Sequence, residues 1–184
     1  GRCRVLQLNL EEAANVAIDS YKYYAVELGI NYAARVTTVK PSGTTSCVLG
    51  TSSGVHAWHN DYYIRRIRVG KNEAIYTYLS INHPELVEDD FFKADSQAVI
   101  SIPQRAPETG ILRHETSLEL LERVRDIYNR WIVPGHNGGN NTHNVSCTVS
   151  VKEDEWVNTA AWVYQNFDDI SGISFLPFNE HVYR

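Results

Sequence analysis

The stretch "VTTVKPSGTTSCVLGTSSGVH" (residues 36–56) joins a run of β-type residues to a segment of small hydroxyl residues and glycines. The run that ends at Val39 has the β-branched composition of a strand. Pro41 marks its end, because proline cannot donate a hydrogen bond to a β-ladder. Seven serines or threonines and three glycines then lie between Ser42 and Gly54. The stretch therefore predicts a strand that opens into a loop rich in hydroxyl and amide donors.

Residues 42–46, called the hydroxyl loop below, have the composition of an anion-binding turn. Gly43 permits a tight turn and a close approach of a ligand to the backbone. Hydroxyl groups and unpaired amides at the start of a following helix favour phosphate. The loop is not a Walker A motif, because it lacks G-K-[ST]. An ordinary strand-to-helix turn rich in capping residues has the same composition, so both interpretations stay open at this point. The candidate phosphate-binding residues are Ser42, Gly43, Thr44, Thr45 and Ser46.

The pentapeptide "GTSSG" (residues 50–54) also matches the nucleophile elbow G-x-S-x-G of serine hydrolases. Ser52 would then be the nucleophile, and His181 or His143 would act as the base beside an acid. Five residues of such common types match readily by chance, and no glycine-rich oxyanion segment precedes them. A serine hydrolase is therefore the weakest of the alternatives.

Helical and β-type patterns alternate along the chain. Asn9 with Glu12 predicts a helix start and Gly29 its end, and Thr116 with Glu119 predicts a second capping box. Such alternation is typical of an α/β fold with parallel strands. The predicted strands are 34–39, 97–103, 142–151 and 171–177, and further helices are predicted over 72–81 and from a cap at Ser150 and Glu153 to Asn166.

Composition limits the classes of partner and site. The net charge of −5 disfavours a nucleic-acid polymer or an anionic membrane as the main partner, and no run of about 18 apolar residues is present. His56 and His59 have H-x-x-H spacing without a supporting carboxylate motif, so no metal site is predicted. The three cysteines lack C-x-x-C spacing, which favours a reducing, cytoplasmic compartment. The glycine- and asparagine-rich stretch 134–144 is predicted to be a loop, so residues 1–184 are treated as one segment.

Four segments, taken together and in order, resemble a known family. The segments "RVTTVKPSGTTSCVLGTSSGVH", "YYIRRIRV", "THNVSCTVSV" and "DDISGISFLPF" are similar to the C-terminal part of the catalytic barrel of ribonucleotide reductases. The likeness is greatest to the adenosylcobalamin-dependent class II enzymes and runs from about residue 5 to the end. It implies an α/β fold that is a portion of the family's ten-stranded barrel, with 34–39, 97–102, 143–151 and 171–176 as parallel strands of one half.

The resemblance also implies a function. The hydroxyl loop would bind the phosphates of a ribonucleoside di- or triphosphate, which the parent enzyme would reduce to a deoxyribonucleotide through a cysteine thiyl radical. The implied partners are adenosylcobalamin, the remainder of the reductase chain, and an external thiol reductant such as thioredoxin. No catalytic residue is assigned, because the family's Asn-x-Cys-x-Glu motif is absent. The chain begins at Gly1 and contains no methionine, so we expect a fragment of a longer chain, and without that motif we expect the fragment to be inactive. A stand-alone nucleotide-binding module without catalysis is the alternative.

Overall fold

The computed structural model describes residues 8–43 and 45–179, apart from the side chain of Cys47. The chain forms two compact units, the first made of Gly1–Trp58 with Thr109–Arg184 and the second of His59–Glu108. None of the described helices is long and apolar enough to cross a membrane. In chain order the described elements are α1 (Leu10–Leu28), α2 (Thr45–Val48), β1 (Tyr62–Gly70), α3 (Ala74–Asn82), β2 (Val87–Asp89), β3 (Gln97–Arg105), α4 (Ser117–Ile127), β4 (Thr148–Val151), α5 (Trp156–Gln165) and β5 (Ser174–Pro177).

Local capping signals in the first unit are confirmed. The Asn9 side chain accepts a hydrogen bond from the Glu12 amide at 3.2 Å, and α1 ends at Gly29, whose φ of 64° is the left-handed conformation that glycine adopts without strain. Thr116 and Glu119 form the predicted reciprocal capping box at the start of α4. These helix ends lie at the predicted residues because each cap depends only on neighbours within one turn.

The core of the first unit lies between α4, β4 and the turn that follows α4. Leu121 and Val149 are fully buried, and Val124 and Val151 are nearly so. β4 and β5 pair in parallel, with Thr148 opposite Ser174 and Val151 opposite Pro177. The predicted parallel pairing of the last two strands is therefore confirmed, although both strands are shorter than the predicted spans 142–151 and 171–177.

The predicted strand at 34–39 is wrong as a regular strand. The segment makes two isolated bridges, antiparallel between Arg35 and His136 and parallel between Val39 and Val145. Its partner segment reverses direction between those two positions, so no continuous ladder can form along 34–39. Side-chain bonds supplement the pairing, since Thr37 Oγ1 donates to the Trp131 carbonyl at 2.6 Å.

The second unit corrects the direction predicted for residues 97–102. β3 lies at the centre of a three-stranded sheet, between β1 and β2, and pairs antiparallel with both. β1 is exposed at alternate residues, which is the pattern of an antiparallel sheet with one face in water. Residue type does not alternate in the same way, because Ile64 lies on the exposed face and Arg65 on the half-buried one, so "YYIRRIRVG" carried no clear sequence signal of the antiparallel pairing.

The start of α5 also differs from the prediction. Ser150 belongs to β4, and α5 begins at Trp156 after a single 3₁₀ turn over Glu153–Glu155, so the cap predicted at Ser150 and Glu153 is wrong. Glu155 takes the capping role, because its Oε2 accepts from the amide of Lys152 at 3.2 Å. The same oxygen accepts from the amide of Ser117 at 3.2 Å and so links α5 to the first turn of α4.

Candidate functional site

The hydroxyl loop is closed by two hydrogen bonds to one carbonyl. Ser46 Oγ donates to the Ser42 carbonyl at 2.8 Å, and Ser53 Oγ donates to the same oxygen at 3.0 Å. Ser46 is 4% exposed, so its hydroxyl serves the loop's own structure. Gly43 and Thr45 are exposed, and Thr44 lies outside the described residues. The structure therefore divides the predicted residues into an inner support at Ser46 and an exposed pair at Gly43 and Thr45.

The surface at Gly43 is open. A Cβ placed there would meet no atom within 4 Å, so a ligand can approach this part of the backbone closely. Thr45 is the first residue of α2, and the first amides of a helix have no acceptor within the helix. The Thr45 carbonyl accepts from the Leu49 amide at 3.0 Å, which shows that the helical turn has formed. The loop thus has an open backbone at Gly43 and a formed helical turn at Thr45.

Residues 53–56, called the supporting segment below, pack behind the hydroxyl loop. Gly54 has a φ of +59°, and a Cβ there would lie 3.0 Å from the Lys40 carbonyl oxygen. Both the backbone conformation and the lack of space therefore require glycine at this position. The next residue, Val55, is 6% exposed and belongs to the core of the first unit. The segment thus fixes the chain on either side of the loop.

His56 connects the supporting segment to β4. Its Nδ1 lies 2.9 Å from the Ser53 carbonyl, and its Nε2 lies 3.1 Å from the amide nitrogen of Thr148. A carbonyl only accepts and an amide only donates, so the ring is the neutral tautomer with its proton on Nδ1. Both ring nitrogens of His56 are thereby used in hydrogen bonds. Among the residues that the structure describes, no group of three or more potential ligands is placed to hold a metal ion.

A buried ion pair holds the supporting segment from the other side. Arg123 on α4 pairs with Glu115, and their side chains are only 7% and 11% exposed. Arg123 Nη1 also donates to the Val55 carbonyl at 3.3 Å. A guanidinium held by a carboxylate is a rigid donor, so α4 anchors the backbone next to His56.

Cys147 is a core residue. It is 7% exposed, and burial raises the pKa of its thiol to about 11, which the nearby charge of Arg123 only partly opposes. A thiol with so high a pKa carries almost no thiolate near neutral pH. Cys147 therefore packs as a small hydrophobic residue.

The loop at 134–144 mainly joins neighbouring extended segments. His143 Nδ1 lies 3.0 Å from the Thr37 carbonyl, and the Asn144 side chain donates to the Gly172 carbonyl at 3.2 Å. His136 Nε2 donates to the Gly139 carbonyl at 2.7 Å. The polar groups of this loop thus bond to Thr37, to Gly172 and to the loop's own backbone.

The nucleophile-elbow hypothesis lacks its structural context. Such an elbow is a sharp turn from a strand into a helix. "GTSSG" instead follows the short helix α2 and leads into a further turn. His143, one proposed base, is bonded to the Thr37 carbonyl, and His181 lies outside the described residues. The residues around Ser52 therefore do not form a hydrolase site of this type.

Comparison with known proteins identifies what the chain resembles. No protein-family model matches it. A protein of Dictyostelium discoideum named "Probable adenosylcobalamin-dependent ribonucleoside-triphosphate reductase" is 30% identical over 165 residues, which cover 84% of this chain and 19% of that protein. Adenosylcobalamin-dependent ribonucleoside-triphosphate reductases of Lactobacillus helveticus and Euglena gracilis are 27% and 30% identical and align with 89% and 82% of the chain. The chain resembles a segment of adenosylcobalamin-dependent ribonucleotide reductases.

A solved structure supports the same fold. The crystal structure of a B12-dependent class II ribonucleotide reductase aligns with 95% of this chain at a TM-score of 0.74 and 20% identity, over 24% of that reductase. The likeness predicted from the four sequence segments is thus confirmed, and so is an α/β fold matching part of a reductase chain. The chain spans about a fifth of the length of the reductases from the three organisms.

Some residues of this site were not predicted. Ser53, Gly54 and Arg123 hold the hydroxyl loop in place, but each acts through partners distant in sequence. The sequence marked His56 only by its H-x-x-H spacing with His59. That spacing does not predict the bonds of His56 to the Ser53 carbonyl and the Thr148 amide.

Proposed function

We propose that this chain is the part of a ribonucleoside-triphosphate reductase that binds the phosphates of the substrate, through the hydroxyl loop. The observation that carries the proposal is the form of this loop, an exposed turn at Gly43 and Thr45 held from behind by two hydrogen bonds to Ser42. Neutral donors at a helix start bind phosphate without a dedicated lysine. The names of the reductases in the three organisms favour triphosphates over diphosphates as substrates.

The chain's own part in the reaction is to bind and orient the substrate. The radical cysteine, its asparagine and glutamate neighbours and the reducing cysteine pair are assigned to other parts of the parent enzyme, because no Asn-x-Cys-x-Glu sequence occurs here. Cys147 cannot replace them, since its thiol is buried and its pKa is raised to about 11. On this proposal the isolated chain binds nucleotide without turnover, and a thioredoxin-type reductant acts on the parent enzyme alone.

One surface depression of about 330 Å³, beside the first turns of α1, is too small to enclose so large a corrinoid as adenosylcobalamin. Its lining includes the carboxylates of Glu11, Glu12 and Asp19, which would repel the cofactor's phosphate. We therefore propose the cofactor for the parent enzyme and assign no residue of this chain to it.

A charge-substitution pair tests phosphate binding at the loop. In Thr45→Asp, a carboxylate replaces the hydroxyl at the first helical position, where an acid is compatible with the helix dipole. Repulsion between this carboxylate and a bound phosphate should raise the Kd for cytidine triphosphate at least about tenfold, equivalent to about 1.4 kcal/mol. Isothermal titration calorimetry would measure it.

Thr51→Asp is the matched control, because Thr51 is also exposed and the substitution adds the same charge outside the loop. The Thr51 amide bond to the Ser46 carbonyl is retained in that variant. An equal loss of affinity in both variants would mean that net charge, rather than the loop, determines binding. A stand-alone nucleotide-binding module predicts the same titration result, so an Asn-x-Cys-x-Glu motif in the parent reading frame would be needed to favour the enzyme.

A further inference from the structure

A chain of hydrogen bonds runs from the core strand β4 to the hydroxyl loop. The amide of Thr148 donates to His56 Nε2 at 3.1 Å, and His56 Nδ1 donates to the Ser53 carbonyl at 2.9 Å. Ser53 Oγ then donates to the Ser42 carbonyl at 3.0 Å. We propose that His56 is a positioning residue, which holds the hydroxyl loop in its phosphate-binding shape through Ser53. This inference rests on the proposed function and names a further residue for it.

Histidine suits this position because the link needs an acceptor and a donor at fixed separation. The neutral imidazole offers both on one rigid ring, whereas an aliphatic side chain offers neither. The amide of His56 also donates to the Ser53 carbonyl, at 3.2 Å. The ring therefore adds the one connection that the backbone of the supporting segment cannot make, which is the bond to β4.

The middle of the supporting segment is held by contacts that do not involve the His56 ring. Gly54 packs against the Lys40 carbonyl, and Arg123 holds the Val55 carbonyl. These contacts fix the middle of the segment, while the His56 ring and the Ser53 hydroxyl fix its two ends. Loss of the ring should therefore loosen the hydroxyl loop without removing the core contacts of Val55.

The effect on the loop follows from the Ser42 carbonyl. This oxygen accepts from both Ser46 and Ser53, so the two hydroxyl groups fix the direction in which it points. A carbonyl oxygen turned toward a phosphate would repel it, because both carry negative charge. The two hydroxyl donors therefore orient the peptide plane between Ser42 and Gly43, and His56 holds one of those donors in place.

Amide hydrogen exchange tests this link without any ligand. The amides of Leu49 and Thr51 donate to the carbonyls of Thr45 and Ser46, so their exchange rates report on the loop's shape. We expect His56→Leu and Ser53→Ala to accelerate exchange at both amides at least about fivefold. Exchange in the middle of α4 should change less than about twofold. Ser53→Ala removes only the last bond of this series of hydrogen bonds, so it tests the link from Ser53 to the loop even if His56→Leu does not fold.

Rescue and control variants separate positioning from general destabilisation. His56→Gln retains an acceptor for the Thr148 amide and should restore slow exchange to within about twofold of the unsubstituted chain. His114→Leu removes an exposed histidine of the same unit and should leave both rates unchanged. Equal exchange rates in His56→Leu, Ser53→Ala and the unsubstituted chain would overturn the positioning role.

A titration with cytidine triphosphate connects the role to binding. We expect His56→Leu and Ser53→Ala to raise the Kd at least about fivefold, and His56→Gln to remain within about twofold. Faster exchange with an unchanged Kd would overturn the claim that His56 positions the loop for phosphate. If the unsubstituted chain fails to bind, the proposed function is contradicted, and the inference fails with it as a statement about phosphate. The exchange data then show only whether His56 supports the loop's structure.

Discussion

At the scale of single residues, close packing against Thr37 leaves room only for glycine at position 135. A Cβ at Gly135 would overlap Thr37 Oγ1 and would lie 2.6 Å from the Cβ of Thr37. Thr37 cannot move away easily, because it is 2% exposed and its hydroxyl donates to the Trp131 carbonyl. The amide of Val36 also donates to the Gly135 carbonyl at 2.9 Å. Glycine is therefore required here by close packing against the segment that leads into the hydroxyl loop.

Gly135→Ala should destabilise the chain by about 1–3 kcal/mol, the usual cost of forcing a methyl group into a packed site. Gly138→Ala is the matched control, since a Cβ there meets no atom within 4 Å, and its effect should stay within about 0.5 kcal/mol. Urea denaturation followed by tryptophan fluorescence would measure both. Similar stabilities for the two variants would contradict the packing described for Thr37.

At the scale of elements, Asp90 organises the edge of the sheet in the second unit. It is 4% exposed, and Arg68 Nε donates to its Oδ2 at 2.8 Å. The amides of Phe92 and Lys93 both donate to its Oδ1 at 3.0 Å. The bond from Arg68 lowers the pKa of Asp90 below its ordinary value and outweighs the opposing effect of burial, with smaller contributions from the two amides.

This lowered pKa predicts a dependence of stability on pH. A carboxyl group whose folded pKa lies below its unfolded value stabilises the fold while it is ionised in both states. The contribution is therefore complete above the ordinary pKa of aspartate, near pH 4, and is lost as the pH falls toward the folded value. Asp90→Asn should be less stable at pH 7 and should lose less stability between pH 5 and pH 2.

Amide exchange within β3, measured across that pH range, would test the prediction in the second unit itself. Asp95→Asn is the control, because Asp95 is an exposed carboxylate of the same unit. Parallel pH profiles for Asp90→Asn and the unsubstituted chain would show that Asp90 does not contribute to the acid dependence.

Elements also show what could be predicted from the sequence. The caps at Asn9, Thr116 and Gly29 depend on residues within one turn, so their signals were sufficient. The direction of β3 depends on its pairing with β1, some 35 residues earlier, and a short apolar run such as "QAVISIP" fits either direction. Periodicity alone therefore predicts that this strand exists but not which strands it pairs with.

The site was predictable only in part, for the same reason. The hydroxyl loop was marked by its own composition, and a resemblance across four segments supplied its expected role. His56 remained unassigned because one of its partners, Thr148, lies 92 residues away in the chain. A hydrogen bond over that distance has no local signature, so only the folded arrangement indicates it.

At the scale of the whole molecule, the chain has the fold of part of a reductase and lacks one motif that the family resemblance implies. It aligns with about a fifth of each of the reductases from the three organisms and has no Asn-x-Cys-x-Glu sequence. The proposal therefore predicts nucleotide binding, located at one loop, without reduction of the nucleotide. Binding confined to the hydroxyl loop would distinguish this prediction from nonspecific binding of an anion.

The most direct test is a backbone-amide NMR titration of the 184-residue chain with cytidine triphosphate, repeated with cytidine diphosphate. The proposal predicts saturable chemical-shift changes centred on residues 42–46, with tighter binding of the triphosphate. Smaller changes should reach the supporting segment through Ser53. Saturable changes centred elsewhere, or none in a sample whose spectrum shows the chain to be folded, would contradict the assignment of phosphate binding to the hydroxyl loop of this chain.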